Sequence, residues 1–274
     1  DYTIGVHSDV PDLAAQLATL SNAAFAEYEG AMQVDEAFAA WYLKRPGCTP
    51  ELCPVALAGE TLVSNVLVAI QNLQVGDEVL PCGIIDTVAT APEHRNRGLA
   101  RVLMDRAHEL MRQAGAEAAV LYTNPDGHPY RFYGRLGYET RAIGAALMGA
   151  RPAGSGIART ATQADEADVR ALLDRFYADY EGYCRQDEAL WRWHRVNRPG
   201  NMPVNLVAIG RPGGGVEATI AFAQADTFVG GEHVPVSVAS DPAWEGDDCL
   251  LGELLSSAPG ERILCLVDEQ SPLY

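Results

Sequence analysis

The stretch Val88-Ala-Thr-Ala-Pro-Glu-His-Arg-Asn-Arg-Gly-Leu-Ala100 decides how this chain is read. It runs from the end of a strand into an arginine-bearing loop, then into the first turn of an amphipathic helix. A helix start presents unpaired backbone N–H groups, and the helix dipole favours an anion there. Arg95 and Arg97 add positive charge, and Gly98 and Ala100 keep side chains out of a ligand's way. The arrangement suits a pyrophosphate. No Lys-Ser/Thr follows the glycine, and the spacing is not G-x-G-x-x-G. A nucleotide-hydrolysing loop and a dinucleotide-binding turn are therefore excluded. Without further support, the same residues would also fit an ordinary basic helix start.

A second motif supplies the support. Phe132-Tyr133-Gly-Arg-Leu136-Gly137-Tyr138 places its first tyrosine 35 residues after Gly98. Leu99, Leu103, Ala107, Leu110 and Ala114 repeat at helical spacing up to Gly115, and Ala118–Tyr122 reads as a short buried strand. Two motifs joined by one helix and one strand resemble the GCN5-related N-acetyltransferases (GNAT). The first motif is similar to that family's motif A, with Arg-x-x-Gly-x-Ala after Val-Ala-Thr-x-Pro. The likeness covers about residues 1–150 well and the remainder more loosely.

The chain has 274 residues and a formal net charge of −17, which argues against nucleic acid and anionic membranes as partners. A cationic substrate is compatible with that charge, but surface solubility is the simpler account of it. Lys44 is the only lysine. No apolar run approaches the ~18–20 residues of a membrane span. The sequence opens Asp-Tyr-Thr-Ile without the basic and apolar regions of a leader, so a cytoplasmic protein is expected. Six cysteines show no C-x-x-C and no histidine at metal-ligand spacing, so no metal site is expected. Cys82 and Cys265 lie in apolar runs and read as core thiols.

The chain also contains itself twice. Tyr28-Glu-Gly30, Asp35-Glu-Ala37 and Trp41 recur as Tyr180-Glu-Gly182, Asp187-Glu-Ala189 and Trp193. Arg45-Pro-Gly47 recurs as Arg198-Pro-Gly200, and Val88-Ala89 with Pro92 is matched to Val238-Ala239 with Pro242. A repeat of this length predicts two copies of one fold. The expected organisation is an α/β (α+β) mixed sheet in each of two tandem acetyltransferase-type domains. The first covers 1–150, a Gly/Pro/Ala-rich linker covers 151–156, and a degenerate, incomplete copy covers 157–274. In copy one, helices are expected over Val10–Glu29 and Asp35–Lys44, with strands at Thr3–His7, Pro54–Ala58, Leu62–Leu73 and Gly83–Thr90. A closing pair of strands is expected before Ala150. In copy two the loop reads Ala243-Trp-Glu-Gly-Asp-Asp-Cys-Leu250. Both loop arginines are lost, and Glu245, Asp247 and Asp248 oppose a pyrophosphate by charge. No counterpart of Phe132-Tyr133 follows before Tyr274. Tyr28, Glu29, Asp35, Glu36 and Trp41 occur in both copies and so read as scaffold, with Asp35 a helix cap and Trp41 in the core.

The resemblance implies a direct attack by an amine on the thioester of acetyl-coenzyme A. It implies that backbone groups of Val88, Ala89 and Thr90 align the pantetheine as an added strand. The segment Arg95, Asn96, Arg97, Gly98, Leu99, Ala100 and Arg101 would grip the pyrophosphate. A backbone N–H near Ala89 or Thr90 faces the oxyanion, and Tyr133 is the acid that protonates the departing thiolate. For the base, simple strand alternation places Asp86, Val88 and Thr90 on one face, which makes Asp86 a candidate beside Glu29 and water. Asp126 stands where the family often has Asn, and capping the following helix is its plain role. The run Gly76-x-x-Val79-x-Pro81-x-Gly83 ahead of the loop resembles a narrower group, the enhanced-intracellular-survival acetyltransferases. These have an active first domain, a degenerate second and a sterol-carrier-like third, and no counterpart of the third is present here. The acceptor could be a small amine, a polyamine or a peptide amine, and a homo-oligomer is compatible. A non-catalytic acyl-coenzyme A sensor and an assembly scaffold are the competing readings.

Overall fold

Two long apolar runs flank the Gly76-Asp77 turn, and they form the central hairpin of a mixed sheet in this computed structural model. The structure describes residues 1–26, 28, 33–200, 202–229 and 232–268. Strands β1 (Thr3–Val6), β2 (Pro54–Ala58), β3 (Thr61–Val75), β4 (Glu78–Thr90) and β5 (Ala118–Val120) lie in that order across the sheet. All neighbours are antiparallel except β4 and β5, which are parallel and flank the crossover helix. The helices of this unit are α1 (Leu13–Phe25), α2 (Glu36–Tyr42), α3 (Leu99–Gln113) and α4 (His128–Gly134).

Helix α3 buries Leu99, Leu103, Met104, Ala107 and Met111 against β3 and β4. Gly83 permits the close approach, because a Cβ there would lie 1.9 Å from the Met111 sulfur. Helix α1 covers the other face with Leu17, Ala18, Leu20 and Ala24. Asp35 caps α2 by accepting a bond from the Phe38 N–H at 2.7 Å, and Trp41 is buried, both as expected. Cys82 is fully buried.

The chain divides into Asp1–Arg141 and Ala142–Tyr274. The second unit holds β6 (Gly144–Ala150), β7 (Arg159–Thr160), α5 (Glu166–Phe176), α6 (Glu188–Trp191), β8 (Val204–Gly210), β9 (Val216–Val229), β10 (Glu232–Trp244), α7 (Cys249–Ser256) and β11 (Arg262–Asp268). Its sheet runs β6-β11-β10-β9-β8-β7. The boundary expected at 150 therefore moves. The strand read as closing copy one pairs antiparallel with β11 along its whole length, from Gly144 opposite Asp268 to Ala150 opposite Arg262. Residues 151–156 do not divide the units either. Arg151 N–H donates to Glu261 O at 2.8 Å, and Ser155 N–H donates to the Glu253 carboxylate. The repeat itself is structural: Asp187 caps α6 through the Leu190 N–H at 2.7 Å, as Asp35 caps α2. No helix among the described residues is long and apolar enough to cross a membrane.

One buried group gives the fold a pH dependence. His7 is 2 % exposed, and burial lowers its pKa from the usual 6.5 despite a bond to Asn65. The neutral form is favoured in the folded chain, whereas the unfolded chain takes up a proton near the ordinary value. His7 therefore contributes full stability above pH 6.5 and progressively less as pH falls through the window down to its lowered folded pKa. Urea unfolding between pH 7 and pH 5.5 should show stability falling with acid, with a shallower slope in His7→Leu. Equal slopes in the two proteins would contradict the burial of a neutral imidazole.

Candidate active site

Strand β4 changes character midway. Its pairing with β5 covers only Cys82–Ile84, yet β4 continues to Thr90. Beyond Ile84 no strand among the described residues pairs with that edge of β4. The register with β3 also shifts there: Leu67 stands opposite Asp86 and Asn65 opposite Ala89, so Thr87 and Val88 share the place of one residue. Thr87 has φ 45°, the mark of a β-bulge. This overturns the simple alternation. Residues paired across a ladder point to the same face, so Asp86 falls in with Ala89. Thr90, opposite Ser64 and bonded to its hydroxyl at 2.8 Å, points the other way. Ala89 is buried and Val88 packs against the α3 core, so Val88, Ala89 and Thr90 have only backbone to present at the unpaired edge.

The loop that follows ends at Gly98, the N-cap of α3, with φ 78°, and Asn96 is also left-handed at φ 60°. Among the described residues, the N–H groups of Asn96, Arg97, Gly98, Leu99, Ala100 and Arg101 make no hydrogen bond. The first helical bond is Val102 N–H to Gly98 O. No side chain caps this helix start. A cradle of unpaired donors thus stands where the sequence places the pyrophosphate. The Leu99 side chain belongs to the core. The arginines behave differently from the expectation of free cations. Arg95 donates to Ala24 O at 2.7 Å and to Thr90 O, which ties the end of α1 to the end of β4. Arg97 donates to the Tyr2 hydroxyl at 2.9 Å and to Glu93 O, with its guanidinium over the Tyr2 ring. Arg101 pairs with Asp105. Their charge stays beside the cradle while their donors shape it.

Tyr133 lies near the end of α4, with Phe132, Leu136 and Tyr138 packed against the same core. Other tyrosines in this unit bond their hydroxyls: Tyr2 to His94, Tyr42 to Asp86, Tyr130 to Thr140 and Tyr138 to His108. The half-buried Tyr133 hydroxyl has no hydrogen-bond partner among the described residues. Burial first, then the neighbouring Tyr28 and Asp86, push its pKa up to about 12. It is therefore a protonated donor throughout the neutral range, close enough to Asp86 to feel its charge.

Asp86 is already engaged. One carboxylate oxygen accepts from the Thr87 N–H at 2.7 Å and from the Thr87 hydroxyl. The other accepts from the Tyr42 hydroxyl and lies 3.8 Å from Arg45. Both of its oxygens are occupied by donors, which suits an anchoring carboxylate better than a proton acceptor. Burial and the adjoining Asp86 charge raise the Tyr42 pKa. Neither Tyr42 nor Arg45 stands out in the sequence except that Arg45 opens the repeated Arg-Pro-Gly. Glu29 lies outside the described residues. Asp126 does not cap α4: the N-cap is Gly127, and Asp126 instead donates its N–H to Asn124 in a turn.

The second unit repeats the strand and bulge but not the cradle. In β10, Ser240 pairs with Ala221 and Ala243 with Thr219, and Asp241 has φ 51°. Asp241 thus matches Thr87, and Pro242, which has no N–H, matches Val88. Matching Val88-Ala89 to Val238-Ala239 is therefore out of step by four residues. The loop is also shorter: four residues separate Trp244 from Cys249, where eight separate Thr90 from Leu99. At the start of α7, the Cys249 N–H donates to the Asp247 carboxylate at 2.8 Å, so the chain supplies its own anion. Glu245 is held by Arg175 and Arg211, which offsets the charge read from the sequence.

Residues 12–141 match the family model described as an acetyltransferase (GNAT) domain, which lies within the first unit. The N-acetyltransferase Eis of Mycobacterium tuberculosis (strain CDC 1551 / Oshkosh) is 38% identical over 63 residues, as is that of Mycobacterium bovis (strain ATCC BAA-935 / AF2122/97). That stretch is 23% of this chain and only 15% of those proteins. Among solved structures, Saccharomyces cerevisiae N-myristoyltransferase with bound myristoyl-CoA superposes with a TM-score of 0.70 at 13% identity, covering 97% of this chain and 76% of that one. A conserved protein of unknown function from Enterococcus faecalis V583, described as a probable N-acyltransferase, gives 0.67 at 14% identity, covering 98% and 65%. At such identity the likeness concerns the fold: both span nearly the whole of this chain, across the two sheets. Over residues 12–141 the first unit is thus similar to a GNAT-type acetyltransferase domain.

Proposed function

We propose that this chain, through that domain, is an acetyl-coenzyme A dependent N-acetyltransferase with a single site in its first unit. The observation that carries the reading is the Tyr133 hydroxyl, a half-buried donor without a partner among the described residues, on the same core as Val88 and within the field of Asp86. The Val88–Thr90 edge aligns the pantetheine, and the Asn96–Arg101 N–H groups hold the pyrophosphate with Arg95, Arg97 and Arg101 alongside. The amine nitrogen attacks the thioester carbonyl carbon, and a backbone N–H of the bulged strand receives the oxyanion. The carbon–sulfur bond then breaks, and Tyr133 gives its proton to the coenzyme thiolate. Of the groups considered as base, water relaying the amine proton fits best, with the fixed charge of Asp86 favouring a cationic acceptor nearby.

The second unit is a degenerate copy in this reading, supported by Pro242, the shortened loop and the Asp247 carboxylate on α7. The acceptor is a small amine, a polyamine or a peptide amine. Release of coenzyme A thiol from acetyl-coenzyme A, measured with a panel of these amines, tests the function. Amine-dependent release supports it. Tight donor binding without release by any amine would leave a non-catalytic acyl-coenzyme A binding domain instead.

A further inference from the structure

Asn65 follows Ser64 within the apolar part of β3, and it is fully buried. Its amide nitrogen donates to the Thr87 carbonyl at 3.0 Å, and its amide oxygen lies 2.6 Å from His7 Nε2. Because the amide nitrogen is committed to a carbonyl, the amide oxygen must accept, so His7 carries its proton on Nε2. The other imidazole nitrogen, Nδ1, is buried and has no hydrogen-bond partner among the described residues. A polar pair this deep is maintained against a desolvation cost, and every bond it makes leads to Thr87. Thr87 is the β-branched bulge residue at φ 45°, one position before the strand edge assigned to the thioester.

We infer that Asn65, held by His7, is a positioning residue that fixes the bulge of β4 and so aims the Val88–Thr90 backbone at the acyl carbonyl. The inference rests on the acyl-transfer reading of the site. The second copy shows what the pair is not needed for. There the bulge persists with Thr219 in the place of Asn65, and the Thr219 hydroxyl donates instead to Val207 O at 2.8 Å. The bulge carbonyl that is satisfied is the next one, Pro242 O, and it is bonded by the Tyr177 phenol at 2.6 Å. The Asn–His pair is thus not required to make a bulge. It selects which carbonyl is held and holds it from inside the sheet, which leaves the outer edge at Val88 clear for a ligand.

The second copy also supplies a replacement that this fold accommodates. The double variant Asn65→Thr with His7→Leu, and the single variant Asn65→Ser as a milder change, are compared with the parent by calorimetry and by turnover. Calorimetry uses acetyl-coenzyme A and coenzyme A without the acetyl group. The parent should bind the acetylated form more tightly, whereas the variants should bind both forms alike with coenzyme A affinity unchanged. In turnover, kcat should fall at least about thirtyfold, part of the about 10²–10³-fold lost when an oxyanion donor is removed outright, with little change in KM for the donor. Variants that keep both the parent's preference and its kcat would reduce Asn65 to a packing residue. A parent that binds acetyl-coenzyme A but turns over no amine leaves the affinity ratio to decide. A parent that binds neither form removes the site, and this inference with it.

Discussion

Tyr133→Phe should lower kcat by about 10²–10⁴-fold, the contribution typical of a positioned general acid, while affinity for acetyl-coenzyme A changes by less than about threefold. The phenol oxygen is the only group removed. It bonds nothing in the protein among the described residues, so its loss strands no partner and leaves the ring packed on Phe132 and Tyr138. Stability should therefore be close to that of the parent. The raised pKa adds a second signature: Tyr133 stays protonated through the neutral and mildly alkaline range, so no loss of the acid should appear in kcat below pH 10. Turnover of Tyr133→Phe equal to the parent would leave the tyrosine a core residue and the acid unassigned.

Gly98→Asp should cost at least about a hundredfold in coenzyme affinity, since one charge-assisted contact is worth ~1.5–3 kcal/mol and a carboxylate adds repulsion. The change imports into the first copy the residue found at the start of α7, Asp248. Aspartate tolerates the left-handed conformation that φ 78° requires better than most residues. A Cβ at Gly98 meets nothing within 4 Å, so the cost is confined to the left-handed backbone, about 1 kcal/mol. An acidic group at a helix start also favours the dipole. The melting temperature should fall by no more than a few degrees while binding is lost, as thermal unfolding and calorimetry on one sample would show. Retained affinity would remove the Asn96–Arg101 cradle from the pyrophosphate.

Most of the first unit is legible in its sequence because its signals are local. Periodicity gives α3, alternation and turn residues give β2 to β4, and the Asp35 cap marks the start of α2. Three features escape for non-local reasons. The bulge at Thr87 breaks the alternation that put Asp86 beside Val88 and Thr90, and only the pairing with β3 reveals it. The Asn65–His7 pair joins residues 58 positions apart, and its only trace in sequence is a polar side chain inside an apolar run. The placement of β6 depends on a ladder with β11, more than a hundred residues away, which no local signal in the sequence reveals. The loop arginines were legible as charge but not as bonds, because their acceptors are backbone carbonyls and a tyrosine hydroxyl from other parts of the chain.

The central claim is one acyl-coenzyme A site per chain, located in the first unit. Calorimetric titration of the whole chain with a non-hydrolysable acetyl-coenzyme A analogue tests it directly, run beside Gly98→Asp. The expected result is one site per chain in the parent and loss of that site in the variant, because α7 already carries the Asp247 carboxylate. Two equivalent sites, or a site that survives Gly98→Asp unchanged, would contradict the account.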